Sequence, residues 1–138
     1  MITSEAELQA AIDQAKSGDE IIIANGLYSD WDVTVPCVGT ENAPITIRPE
    51  NPQGVVFTDE STFKVSGSYI IIRDFRFEDC RLLDSCVLLD DALEVRITQC
   101  VFEGAFGRAP VIGVKSQSVG CRIDHCQFIK PEARSIQI

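Results

Sequence analysis

Arg96 and Arg122 occupy equivalent places in two similar segments, VRITQCVFEG and CRIDHCQFIK, and Arg73 and Arg76 fall in a third, YIIIRDFRFEDC. A guanidinium presents a planar fork of N–H donors that matches a carboxylate two bonds at a time. Arg73, Arg96 and Arg122 are therefore candidate substrate-binding residues for a ligand that carries carboxylates. Ion pairs with Asp and Glu of neighbouring segments account for the same row equally well, and both readings stay open. Lys64 follows Asp59 and Glu60 and lies between Phe63 and Val65, so it points outward. A lysine among carboxylates could abstract a proton, but its plain reading is a solvated strand residue.

Asp84, Asp90, Asp91 and Glu94 crowd one loop region and could hold calcium. No Asp-x-Asp-x-Asp-Gly loop is present, so a solvated acidic loop is the default. His125, the single histidine, lies at a bend, where a structural hydrogen bond is the simpler role. Tyr28 and Trp31 could form a stacking platform, with core or rim packing as the default. The six cysteines include no Cys-x-x-Cys; the closest pairs are Cys80/Cys86 and Cys121/Cys126. They read as small core filler. Cys100 and Cys126 fall within bridging reach without needing a bridge. No catalytic residue, metal ligand or cofactor ligand is assigned from these patterns.

The elements that position these residues repeat along the chain. Ile21, Ile45, Ile70, Val95 and Cys121 form one apolar column. Ile23, Ile47, Ile72, Ile97 and Ile123 form another. A third set reads Val33/Val35, Phe63/Val65, Val87/Leu89, Ile112/Val114 and Ile136/Ile138. The larger step between Val33 and Phe63 contains an insert at 49–54. Apolar residues two apart belong to one face of a strand. Within a repeat the spacing then skips three, at Arg73-Asp74, Thr98-Gln99 and Asp124-His125, which marks a bend whose polar side chains can bond free backbone groups. Phe77, Phe102 and Phe128 should stack inside.

The repeat predicts an all-β, right-handed parallel β-helix of about five coils and three sheets. Residues 4–17 read as an α-helical cap with a Ser4/Glu7 capping box and a Leu8, Ala11, Ile12, Ala15 stripe. The expected organisation is one β-helix domain over residues 1–138, with coils at 20–138 and no C-terminal cap. Phe128, Ile136 and Ile138 then face an open end, which predicts a homodimer through the last coil.

Composition narrows the partners. The net charge of −9 argues against nucleic acid and against anionic membrane. Hydrophobic residues make up 45% of the chain, too many for a disordered segment. No apolar run approaches a membrane span, and no charged-then-apolar leader is read ahead of the first element, so the expectation is either a cytosolic chain or one whose leader lies outside this sequence.

Three stretches resemble the start of the family-6 polysaccharide lyases, the alginate lyases and chondroitinase B. They are AELQAAIDQAKSGDEIIIANGLYSD, GTENAPITIRPENPQGVVFTDES and YIIIRDFRF. The order of capping helix, Gly-Asp turn, strand, Asn-Gly-x-Tyr turn and Gly-Thr-x-x-x-Pro-Ile-Thr strand agrees over about residues 5–80. Asp59-Glu60-Ser61 departs from it, since such lyases tend to carry a glycine before the serine. The resemblance implies β-elimination on a uronate chain, with a Lys base, an assisting Arg and, in many members, calcium held by Asn and Glu. It also implies a secreted or periplasmic protein. No Glu-x-Glu followed by Lys occurs, so no catalytic residue or calcium ligand carries over. The expected function is a lyase-like β-helix inactive as an isolated chain. The alternative is a non-catalytic module that binds acidic polysaccharide or self-assembles.

Overall fold

The computed structural model describes residues 1–115 and 117–138. Three parallel sheets wind through about five coils, preceded by one helix. The first sheet stacks Glu20–Ile23, Ile45–Pro49, Ile70–Arg73, Arg96–Thr98 and Arg122–Asp124. The second stacks Gly26–Ser29, Val55–Asp59, Arg76–Leu82, Val101–Glu103 and Gln127–Ile129, with the short Phe106–Gly107 strand beside Arg76–Leu82. The third stacks Asp32–Val35, Thr62–Val65, Val87–Leu89, Ile112–Val114 and Ile136–Gln137.

Inward positions form continuous ladders. Ile47, Ile72, Ile97 and Ile123 lie in register in the first sheet, and Val33, Phe63, Val87, Ile112 and Ile136 in the third. Phe77, Phe102 and Phe128 stack at centroid spacings of 5.1 and 5.2 Å, one strand separation. Phe57 and Tyr28 extend that column toward the N-terminus. Burying one face of every strand in this way is what holds a solenoid together, because no coil can cover its own apolar face.

The first coil departs from the expected register. Ile21 pairs with Ile47 and Ile23 with Pro49, so Ile45 begins its column one coil later than the repeat suggested. A two-residue slip leaves the same side chains inward, and alternation alone cannot detect it. Pro49 correspondingly ends a strand and is buried, which shortens the insert to 50–54.

The helix runs Glu5–Asp13, ending well before residue 17. The Ser4 hydroxyl accepts from the Glu7 amide at 3.2 Å and donates to the Glu7 carboxylate at 3.1 Å, so both halves of the N-terminal cap share one pair. Leu8 and Ile12 are fully buried over the first coil. The edge of that coil is covered by side chains. Gln9 donates its amide to the Thr34 carbonyl at 2.8 Å and accepts from the Thr34 N–H at 3.0 Å, while Glu5 accepts from the Asp32 N–H at 2.7 Å. Ile2 pairs with the first-sheet edge at Ile23. Backbone groups that a free edge would offer to another chain are thus engaged.

In the last three coils the bend between the first and second sheets turns on a left-handed residue: Asp74, Gln99 and His125, at φ 68°, 55° and 53°. The expectation that their side chains bond free backbone groups is not met. Their amides and carbonyls instead continue the coil-to-coil ladder, as in Asp74 N–H to Thr98 O at 3.2 Å. Polar residues serve here because they tolerate this conformation better than branched ones.

Candidate functional site

The outward face of the first sheet carries the arginine row. Arg96 and Arg122 are in-register neighbours, whereas Arg73 lies one column over, paired with Thr98. Asp124 follows Arg122 by two residues and shares its outward face. It accepts a fork from Arg96, Nε at 3.1 Å and Nη2 at 2.8 Å, and a third contact from Arg122 Nη2 at 2.9 Å. The Arg96 hydrogen bond, with the nearby Arg122 charge, holds the Asp124 carboxyl far below the usual carboxylate range. Its partner guanidinium is correspondingly raised. Arg73 pairs with the adjacent, buried Asp74, and Arg76 bridges Glu78 at 3.0 Å and Glu103 on the next coil. Arg48, absent from the sequence-based candidates, continues the face, bonding Glu20 at 2.9 Å and the Pro49 carbonyl at 2.9 Å.

The row is therefore internally paired, as the plainer reading expected, but not saturated. The Arg122 side chain is 65% exposed against 16% for Asp124, so most of its donors face solvent. His125 is exposed, with Nε2 3.8 Å from Asp124. The face can accept a carboxylate at Arg122 without burying charge.

The third sheet presents a different surface. Its outward column runs Thr34, Lys64, Leu88, Gly113 and Gln137. Lys64 lies 3.7 Å from both Asp32 and Asp84, so its ammonium is shared between carboxylates at the surface. An open hollow beside it is lined by Thr34, Lys64, Ser66, Asp90, Asp91 and Gln117. A second, more enclosed cavity of about 430 Å³ lies beyond Leu88. Glu94 reaches away, over Gly120, where an added β-carbon would sit 2.2 Å from its carboxylate. The four acidic residues Asp84, Asp90, Asp91 and Glu94 do not converge, and among the described residues no three or more His, Cys, Asp or Glu side chains are placed to hold a metal ion.

Tyr28 and Trp31 pack against each other at 4.4 Å and against Phe57, with Trp31 buried, so they are core rather than a sugar platform. All six cysteines are free thiols, three of them buried. Cys100 is buried under Cys126, whose contact and burial push its thiol well up. No helix among the described residues is long and apolar enough to cross a membrane.

The family model described as chondroitinase B matches residues 2–134. A variant of the PL6 family alginate lyase AlyGC is similar at 25% identity and TM-score 0.74, over 91% of this chain and 23% of that one. A mannuronic acid specific family 6 lyase from human gut microbiota aligns with TM-score 0.78 at 20% identity, over 90% of this chain and 32% of that one. A PL6 family polysaccharide lyase from Pseudopedobacter saltans aligns with TM-score 0.71 at 19% identity, over 92% and 37%. The last two likenesses speak to the fold. The chain spans 23% to 37% of the length of these solved structures. No curated protein matches it.

Proposed function

The chain belongs to the chondroitinase B family, and on that premise we propose that its coils are the scaffold and part of the sugar-contacting surface of a polysaccharide lyase acting on a uronate chain. Proton abstraction beside the uronate carboxylate falls to residues outside this stretch. The observation that carries the reading is the family match over residues 2–134, set beside an arginine face that keeps free donors.

In this reading Arg96 and Arg122 meet the carboxylates of the polymer, and Arg73 extends the contact along the same face. Asp124 holds both guanidinium planes in place, so the fork is organised before sugar arrives. Prior order of this kind lowers the cost of binding. A uronate is a poor carbon acid while its carboxylate stays charged, and calcium is one way of neutralising it in such enzymes. Among the described residues the carboxylates do not converge into a calcium site, and no step is assigned to a metal.

Affinity electrophoresis in gels containing alginate tests the contact. The wild-type chain should be retarded. Arg122→Ala should weaken binding about tenfold, as expected for loss of one charge-assisted contact worth ~1.5–3 kcal/mol in part-exposed surroundings. Unchanged mobility of the Arg96→Ala/Arg122→Ala double variant would remove the arginine face from the proposal.

A further inference from the structure

The free thiols take no part in the arginine face, and two of them lie one above the other. Cys100 and Cys126 occupy the bend between the first and second sheets in the fourth and fifth coils. The strands on either side are in register, Thr98 with Asp124 and Val101 with Gln127, so the two cysteines are coil-to-coil neighbours. The Gln127 N–H donates to the Cys100 carbonyl at 3.0 Å, which ties the two backbones together at this point. Neighbouring parallel strands are about 4.8 Å apart, inside the ~4.4–6.8 Å between α-carbons that a disulfide spans. Cys100 is fully buried, and Cys126 is half-buried and packs against the core. Cys100 Sγ donates to the Thr98 carbonyl at 3.5 Å. Cys126 Sγ lies 3.4 Å from the equivalent Asp124 carbonyl and 3.8 Å from the Ile97 carbonyl of the coil before it.

Contact makes the two thiols unequal. The hydrogen bond from Cys100, working against burial, lowers the Cys126 thiol to about 7, whereas the same contact and burial hold Cys100 well above the usual thiol range. Cys126 is therefore the partner that carries thiolate near neutral pH, and the thiolate is the form that attacks a disulfide. A second touching pair gives the comparison. Cys80 and Cys86 belong to the third coil, each no more than 1% exposed, and the Cys80 contact together with burial pushes the Cys86 thiol well up. Coils on both sides cover that pair, so an oxidant in solution meets Cys126 first.

We propose that Cys100 and Cys126 are a redox modification site, which a small-molecule disulfide converts into a covalent staple between the fourth and fifth coils. The Cys126 thiolate attacks one sulfur of the oxidant. A mixed disulfide forms, and one thiolate of the oxidant leaves and takes up the proton that Cys126 has lost. The Cys100 thiol then gives up its proton and attacks the Cys126 sulfur. The Cys100–Cys126 bond closes, and the second half of the oxidant leaves as a thiol. Two protein thiols are oxidised, and one disulfide is reduced to two thiols. The staple fixes the last coil, whose strands Arg122–Asp124 and Gln127–Ile129 are three residues each and have a neighbour on one side only. Closing a loop through these coils also removes freedom from the unfolded chain. The inference does not depend on sugar binding at the arginine face.

The test is treatment of the reduced, folded chain with oxidised glutathione near neutral pH, read by tryptic peptide mapping and by thermal melting. The peptides that carry Cys100 and Cys126 should be joined, while Cys80 and Cys86 stay reduced. The melting temperature should rise by about 5 °C or more, and reduction with dithiothreitol should reverse the rise. Cys100→Ser should stop at glutathione on Cys126, with no rise. If Cys100→Ser does not fold, Cys126→Ser at the half-buried position decides, and it too should show no rise. A link between Cys80 and Cys86, or between Cys121 and Cys126, formed in place of this one overturns the proposal. A lasting mixed disulfide at Cys126 with Cys100 still reduced overturns it as well. So does a folded chain that does not react, or a rise that persists in Cys126→Ser.

Discussion

Asp124 is the residue on which the arginine face turns, and its titration makes the cluster sensitive to acid. Its folded-state pKa is depressed, chiefly by the Arg96 hydrogen bond. A depressed carboxyl contributes stability above its unfolded value of about 3.9, and that contribution is lost as pH falls through the folded value. Unfolding followed from pH 7 downward should therefore show stability falling below about pH 4. Asp124→Asn should be less stable at neutral pH and should lose less on acidification. Parallel acid profiles for the two proteins would contradict this role. The Arg96/Arg122 neighbour pair was legible in sequence because both fill one slot of the repeat. The Asp124 clamp was not singled out, although strand alternation puts it on the face of Arg122 and one coil from Arg96.

At the scale of elements, the capping helix does more than cover apolar side chains. Gln9 acts as an extra strand residue, donating to and accepting from Thr34. Gln9→Ala removes two neutral hydrogen bonds and should cost about 1–2 kcal/mol, read as a lower urea midpoint with unchanged slope. An unaltered midpoint would show that water replaces the pairing without loss. The helix itself was readable from its cap and apolar stripe, but Gln9 was not, because its partner lies on the first coil's third-sheet strand. The coil repeat was readable wherever columns are uniform, as with Ile72, Ile97 and Ile123. It failed at Ile21 and Ile45, where a slip of two preserves every inward side chain. The left-handed ladder of Asp74, Gln99 and His125 shows why the bends take polar residues, a conformational reason rather than the side-chain bonding first expected.

For the molecule as a whole, the last coil of this stretch leaves large apolar side chains accessible, with Ile136 41% and Ile138 92% exposed. Expressed by itself, this stretch should associate through Phe128, Ile136 and Ile138, and light scattering over a dilution series should show it. Ile136→Lys should restore a monomer, and a concentration-independent monomer in the unmodified chain would count against such pairing. The overall architecture was the most legible level, because a solenoid writes its core into the sequence once per coil. The level of activity was the least legible, since among the described residues no three or more His, Cys, Asp or Glu side chains are placed to hold a metal ion and the arginines of the face are paired within the chain. The most direct test of the central claim is absorbance at the unsaturated uronate band during incubation of the pure chain with alginate, with and without calcium, under conditions where gel retardation shows binding. The account predicts binding without any rise in absorbance. A sustained rise that follows the protein through purification, and that disappears in Lys64→Ala or Lys115→Ala, would contradict it.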